Sequence, residues 1–298
     1  MNRASFAKML EPGLNTLFGL EYDSYPSEYE AVFSSNTSQK AYEEDVLLAG
    51  FGAAPTKNEG ASVSYDDAGQ QWTARYQHET VALAFSITEE AEEDGQYGSI
   101  ASRYTKALAR SMSSTKEIKA ANVLNNATSA NGGDGTTLLS TAHPTQNGNQ
   151  SNTLATAADL SETSLESILI QIADMKDERG LRVAAQGTQL IIPTAYTFVA
   201  ERLLESQLRT GTADNDINAI KSGGYLPKGY HVMRRLTDAD QFFVQTDVPD
   251  GLKYFTRSAM KKGMEGDFET GNIRYKCRER YSFGFTDWRG IFGSEGAA

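Results

Sequence analysis

Four basic side chains, Arg274, Lys276, Arg278 and Arg280, occupy alternate positions of the stretch IRYKCRERYSFGF at 273–285. A strand repeats every two residues, so this spacing lines all four on one face and puts Ile273, Tyr275, Cys277, Glu279, Tyr281, Phe283 and Phe285 on the other. One face suits a hydrophobic core; the other suits an anion, either phosphate or the carboxylates of a polypeptide. Other reactive residue types form weaker patterns. The three histidines, His78, His143 and His231, lie far apart in sequence. His143, in STAHP, is the one a hydrolase would use as a base, and a polar turn before Pro144 is the simpler reading. Asp214, Asp216 and Asn218 have the one-three-five spacing of a calcium loop, but Ala219 and Tyr225 stand where its glycine and glutamate belong, so DNDIN reads as a solvated loop. GGDG at 132–135 has no lysine behind it to hold a phosphate. No phosphate-binding loop, dinucleotide glycine fingerprint, G-x-S-x-G elbow or H-E-x-x-H occurs. Cys277 is the single cysteine, which excludes intrachain disulfides and multi-cysteine metal sites; it reads as a small core residue, and no cofactor is expected.

The elements that position the basic row are unusually long. Thirteen residues at about 3.3 Å each make a strand of about 43 Å. Tyr97, Ile100, Tyr104, Leu108, Met112, Thr115, Ile118 and Asn122 recur at spacings of three and four, which predicts a helix over 97–126, about 45 Å long. A long helix packed along a long strand makes an elongated platform. Between them, Thr163 and Glu166 form a capping box ahead of Leu165, Ile168, Leu169 and Ile172. TQLIIP reads as a buried strand, and a helix from Pro193 or Thr194 would turn Ala195, Phe198, Val199 and Leu203 inward. GYHVMRRL, QFFVQTDV and LKYFTRS read as strands, which gives an inserted α+β domain. Residues 127–160 form a long Gly, Asn, Ser and Thr loop. Upstream, 61–86 reads as a hairpin turning at Asp66, Asp67, Ala68 and Gly69, and EEAEED after Thr88 as a short acidic helix. Residues 1–57 read as an extended arm whose Phe18, Tyr22, Tyr25, Tyr29 and Phe33 serve either an interface or a small local core.

Charge separates along the chain. The net charge is -11 over 298 residues, yet sixteen acidic residues face three basic ones between Glu21 and Asp94, and nine basic face five acidic between Lys253 and Arg289. Such ends attract, within one copy or head to tail between copies. A pI near 4.9 disfavours a module whose task is gripping nucleic acid. The N-terminus lacks the apolar run of a secretory signal and no stretch approaches about 20 apolar residues, which predicts a soluble protein made in a cytosol.

The order of elements, over nearly the whole chain, resembles the major capsid proteins of tailed phages, the HK97 fold. YEEDVLLAGFGAAPTKNEG (42–60), TARYQHETVALAFSITEEA (73–91), RYTKALARSM (103–112), LLSTAHP (138–144), FVAERLLES (198–206), RTGTADNDINAI (209–220) and GMEGDFETGNIRYKCRERYSFGFTDWRG (263–290) are similar to the major head subunits of Mu-like phages and prophages. The resemblance implies an N-terminal arm (1–57), an extended loop hairpin (58–86) lying over a neighbour and a peripheral domain with the long helix (87–159). It further implies an axial domain (160–262) and the closing peripheral strands (263–298). Function would be structural and non-enzymatic: hexamers and pentamers tiling an icosahedral virion shell around double-stranded DNA, with no membrane, assembled in the host cytoplasm. A portal, a separate scaffold protein and a possible decoration protein are the implied partners. Nothing coiled-coil precedes the arm, which also points to a separate scaffold. An oligomeric hydrolase built on His143 and a nucleic-acid-binding module are the competing classes. On the shell reading Asp66, Asp67 and Trp72 are contact candidates on the loop side, and Arg274, Lys276, Arg278 and Arg280 on the strand side.

Some family members weld their subunits with a Lys to Asn isopeptide bond. Asn272 and Glu279 match the acceptor and its acid, but DDAG at the expected loop tip has no lysine, and Lys57 falls at the expected hairpin's base. Assembled shells are therefore expected to dissociate fully to 32.5 kDa chains in denaturing gels. A ladder of multimers contradicts this.

Overall fold

A computed structural model describes residues 3–88, 90, 97–209, 216–267 and 270–297. The acidic helix expected after Thr88 and much of DNDIN lie outside these residues. The chain opens not as an extended arm but with a helix, α1 (Arg3–Asp23), which carries Pro12 in its interior. Leu10, Leu14 and Phe18 recur every four residues there; Pro12 and Gly13, which read as breakers, hide that period. Phe18, Tyr29 and Phe33 are buried in the chain's own core, Tyr29 against Tyr254 and Phe283 and Phe33 against Phe283, so these aromatics join the main core and not a separate local one. β1 (Ser34–Thr37) and β2 (Tyr42–Leu48) follow, then β3 (Gln70–Gln77) and β4 (Glu79–Ile87). The expected hairpin is corrected here. β3 pairs antiparallel with β2, from Tyr42 opposite Gln77 to Leu48 opposite Gln70, whereas β4 joins another sheet. The loop between the paired strands is therefore 49–69, and it turns at Asn58–Ala61, where Gly60 takes φ +76, not at Asp66–Gly69. Lys57 lies beside that turn, away from the hairpin's base.

The long helix is α2 (Tyr97–Asn125). A loop with a small hairpin, β5 (His143–Thr145) and β6 (Gly148–Gln150), leads to α3 (Glu162–Ala173), β7 (Gly187–Ile192), α4 (Thr197–Glu205), α5 (Ala219–Gly223), β8 (Tyr230–Val232) and β9 (Phe242–Thr246). β10 (Leu252–Gly266), β11 (Ile273–Phe285) and β12 (Ile291–Ser294) complete the chain. Two four-stranded sheets result, in the orders β1-β10-β11-β4 and β12-β9-β7-β8. The expected boundary at residue 262 falls inside β10, which belongs along its whole length with β11, and β12 crosses back to the second sheet. α3 is capped by Ser161 and Ser164 in reciprocal hydrogen bonds, not by Thr163 and Glu166. On α4 the inward residues are Ala200, Leu203 and Leu204, and Phe198 points out.

α2 lies along the inner face of β11. Its buried stripe is Ala101, Thr105, Leu108, Ala109, Met112, Ala120, Ala121 and Leu124; Tyr104 and Ile118, expected inside, are half-exposed. The stripe is rotated because alanines let the helix approach the strand closely, while Tyr104 packs edge-on against Phe85 at its margin. Ile273, Tyr275 and Cys277 meet this stripe together with Leu14 and Phe18 of α1. Farther along, Lys116 Nζ sits 3.3 Å from Glu279 Oε2, both side chains buried, with the rings of Tyr29, Tyr254 and Tyr281 5.2–5.4 Å from the ammonium. Burial pushes the Glu279 carboxyl up and Lys116 opposes it, while the carboxylate and tyrosine rings hold the ammonium well above the ordinary lysine range against the pull of burial.

Removing one member of a buried pair strands the other, at a cost of about 3–5 kcal/mol. Lys116→Met should lose stability of that order in denaturant unfolding of the free subunit at pH 7, and adding Glu279→Gln should recover most of it. In the single variant the loss should shrink toward pH 5. A carboxyl whose folded pKa is raised favours the fold when protonated, and that contribution disappears as pH rises.

Candidate assembly interface

Burial along β11 alternates as the sequence requires: Ile273, Tyr275, Cys277, Glu279 and Tyr281 are buried, Arg274, Lys276 and Arg278 exposed, and Arg280 half-buried. The neighbouring strands leave most of the basic row open. On β4 its cross-strand partners are Ser86, Ala84, Ala82 and Thr80; on β10 Glu265 faces Arg274, Gly263 faces Lys276 and Ser258 faces Arg280. Lys261 stands opposite Arg278 and adds a fifth charge; it shares the basic face by the same period of two that places Lys253 there, and the two register shifts in β10 set it opposite Arg278 instead of Lys276. Arg274 is neutralised by Asp267 Oδ2 at 2.5 Å. Lys276, Arg278 and Lys261 have no ion-pair partner among the described residues. Like charges this close repel, and an acidic partner relieves that repulsion.

The loop side is held at its root and its base. At the root, the Lys253 ammonium pairs with Asp45 of β2 at 2.6 Å, the Tyr76 and Thr286 hydroxyls share a 2.5 Å hydrogen bond, and Trp72 Nε1 donates to the Thr286 carbonyl at 3.0 Å. His78, the one residue between β3 and β4, is buried with its ring nitrogens 3.0 Å from Ser282 Oγ and 2.9 Å from Ser38 Oγ. At the base of the loop, the Asp66 carboxylate accepts from the Gly52 N–H at 2.8 Å and from Arg179 Nη2 at 2.6 Å. The Gly52 bond foremost, with Arg179, holds that carboxyl below its usual range. Two of the loop-side candidates are thus engaged within the chain: Trp72 anchors the root, and Asp66 closes the loop. The Asp67 side chain has no partner among the described residues, and the basic row is brought together with neither aspartate inside one copy. Beyond these contacts the loop is apolar and open, with Leu48, Phe51 and Val63 exposed and Tyr65 at 95%. Arg179 carried no sequence signal, since a lone arginine after DE in a turn looks like any solvated charge.

The remaining chemistry-bearing residues are structural. His143 is fully buried, stacked on Trp288 at 4.2 Å, with Nδ1 2.7 Å from Asp134 Oδ2 and Nε2 3.1 Å from Asn152 Oδ1. Asn152 in turn donates to the Leu138 and Ile291 carbonyls, so this cluster ties the long loop together and to β12 of the second sheet. A base so enclosed cannot reach a substrate. Burial pushes the Cys277 thiol up to about 11, which makes it inert. Among the described residues no group of carboxylate, histidine and cysteine side chains could hold a metal ion, and no helix is long and apolar enough to cross a membrane.

A sequence profile of a family described as phage capsid protein matches residues 70–293. No functionally curated protein matches the chain in sequence. Among solved structures, the capsid of an empty GTA particle aligns with a TM-score of 0.56 and 12% identity, over 91% of this chain and 90% of that one. The procapsid of bacteriophage JBD30 aligns at 0.54 and 15%, over 99% and 76%. The virus-like particle from Pyrococcus furiosus aligns at 0.55 and 11%, over 95% and 98%. At such identities the likeness is one of fold.

Proposed function

Because this chain belongs to the phage capsid protein family, we propose that it is the major head subunit of a tailed phage of the Mu-like kind, closing with copies of itself into hexamers and pentamers of an icosahedral shell. The observation that carries this is the pairing of a rigid platform with a projecting loop: the platform displays Lys276, Arg278 and Lys261, and the loop displays apolar side chains and Asp67, all four charges without an ion-pair partner among the described residues. An exposed apolar loop and a row of like charges each gain from a complementary surface across a subunit boundary. On this reading α1 and the segment to residue 41 form the arm, 42–77 the extended loop, the β10-β11 sheet with α2 the peripheral domain, and the second sheet with α3, α4 and α5 the axial domain. The shell encloses double-stranded DNA. A net charge of -11 suits a container that must release its contents, because a lining rich in unpaired cations would hold phosphate. A separate scaffold guides assembly in the host cytoplasm, one vertex takes a portal, and the outer surface is open to a decoration protein.

Negative-stain microscopy with light scattering, on protein expressed alone and with its candidate scaffold, tests the reading: closed shells, tubes or capsomer rings support it, and a stable small oligomer in both preparations overturns it. Within shells the charge pairing is tested separately. Lys276→Glu with Arg278→Glu, and independently Asp67→Lys, should each reduce assembled material by about ten-fold, the size expected for one contact of about 1.4 kcal/mol. Combining them should restore part of it. Asp66 is left intact because its change would also free the Arg179 contact. Normal shells from both variants sink the pairing and leave the shell reading standing.

A further inference from the structure

The second sheet carries α3 over one edge strand, β12, and α4 over the other, β8. Between α3 and α5 lies a groove of about 560 Å³, lined by Leu169, Ile170, Ala173, Ala185, Ile220 and Tyr225. Its floor is apolar and its mouth is open: Ile170 is 64% exposed. Glu166, one turn before Ile170 on the same helix face, stands at the rim with no ion-pair partner in the chain among the described residues.

α4 presents the matching shape. Ala200, Leu203 and Leu204 face the core, which at 100° per residue turns Phe198 away from it, and Phe198 is 74% exposed. No described residue of its own chain makes a ring contact with it, and it is not part of the groove's lining. Arg202, one turn after Phe198 on the same face, is exposed and has no ion-pair partner among the described residues. The two helices therefore carry complementary pairs at the same spacing of about 6 Å: acid then apolar on α3, apolar then base on α4. Laid antiparallel, they put Phe198 over Ile170 and Arg202 over Glu166 together.

We propose that Phe198 on α4 of one copy seats in the α3–α5 groove of the next, with Arg202 meeting Glu166. The contact uses different surfaces on its two partners, so it is heterologous, and repetition closes a ring when the rotation allows. This deepens the shell reading and rests on it. The occupant is a second copy of this chain because the charge pair, the helical spacing and the exposed ring that fits the groove all belong to this sequence. A phenyl ring leaving water for such a pocket is a typical interface anchor, and the charges fix its register.

The test uses the full chain, assembled as above and read by sedimentation and negative stain, with circular dichroism on the free subunit. Phe198→Ser and, separately, Ile170→Arg should need about ten-fold more protein to assemble, with the subunit's melting unchanged because both residues are exposed. Arg202→Glu should show the same defect, and adding Glu166→Arg should bring assembly back to within about two-fold of the wild type. Unimpaired assembly of Phe198→Ser, or failure of the swapped pair to rescue, overturns the contact while leaving the shell reading intact. Wild-type protein that forms no ring or shell in either preparation overturns the reading and this contact with it.

Discussion

Thirteen consecutive residues in one strand can divide only between two faces, and in β11 that division sets the terms for the rest of the molecule. The inward side chains must be covered along the full length of the strand, and α2 is long enough to do it with a stripe of small residues. The outward side chains inherit whatever the covered face does not want, here a row of cations with small cross-strand neighbours along β4. The Lys116–Glu279 pair is a buried charged contact under the helix, and its aromatic surroundings make it a register mark as well as a contact. Glu117, next on the helix, accepts the backbone N–H groups of Glu28 and Tyr29, and Glu28 accepts from Arg234 and Arg235. The helix thus gathers the N-terminal segment and the second sheet onto one scaffold.

From that scaffold the loop projects with defined rigidity. Its root is fixed by hydroxyl, indole and imidazole contacts into the ends of β11 and β10, so direction is set within the subunit. Its far part has few partners beyond the Arg179 clamp. A rigid root with an open end gives a subunit that can be added to a lattice with little ordering cost, since only the end must find its place.

Much of the platform was legible. The period of two in β11 and the helix over 97–126 are long, regular patterns, and long patterns survive tertiary context. The rotation of the α2 stripe was not legible, because alanines carry almost no hydropathy signal yet decide how closely a helix can approach. α1 was hidden by Pro12 and Gly13, and the hairpin by DDAG, which resembles a turn but serves as a clamp for Arg179. Strand partners 22 or more residues apart, such as Leu48 and Gln70, leave no local trace. The basic row could be read as a surface from sequence alone, whereas the residue that Lys261 faces depends on bulges that no periodicity encodes. Phe198 was misread as core since it sits among true core positions, and an exposed ring is visible only once the helix face is known.

The central claim is that the β10-β11-α2 platform is complete in the single subunit and that the loop gains its partner only in the assembly. Hydrogen–deuterium exchange on free subunits and on assembled shells reads both halves at once. The account predicts slow exchange for amides of 273–285 in both states, and exchange at 49–69 that is fast in the subunit and slow in the shell. Fast exchange at 49–69 in intact shells, or a β11 that becomes protected only on assembly, would contradict it.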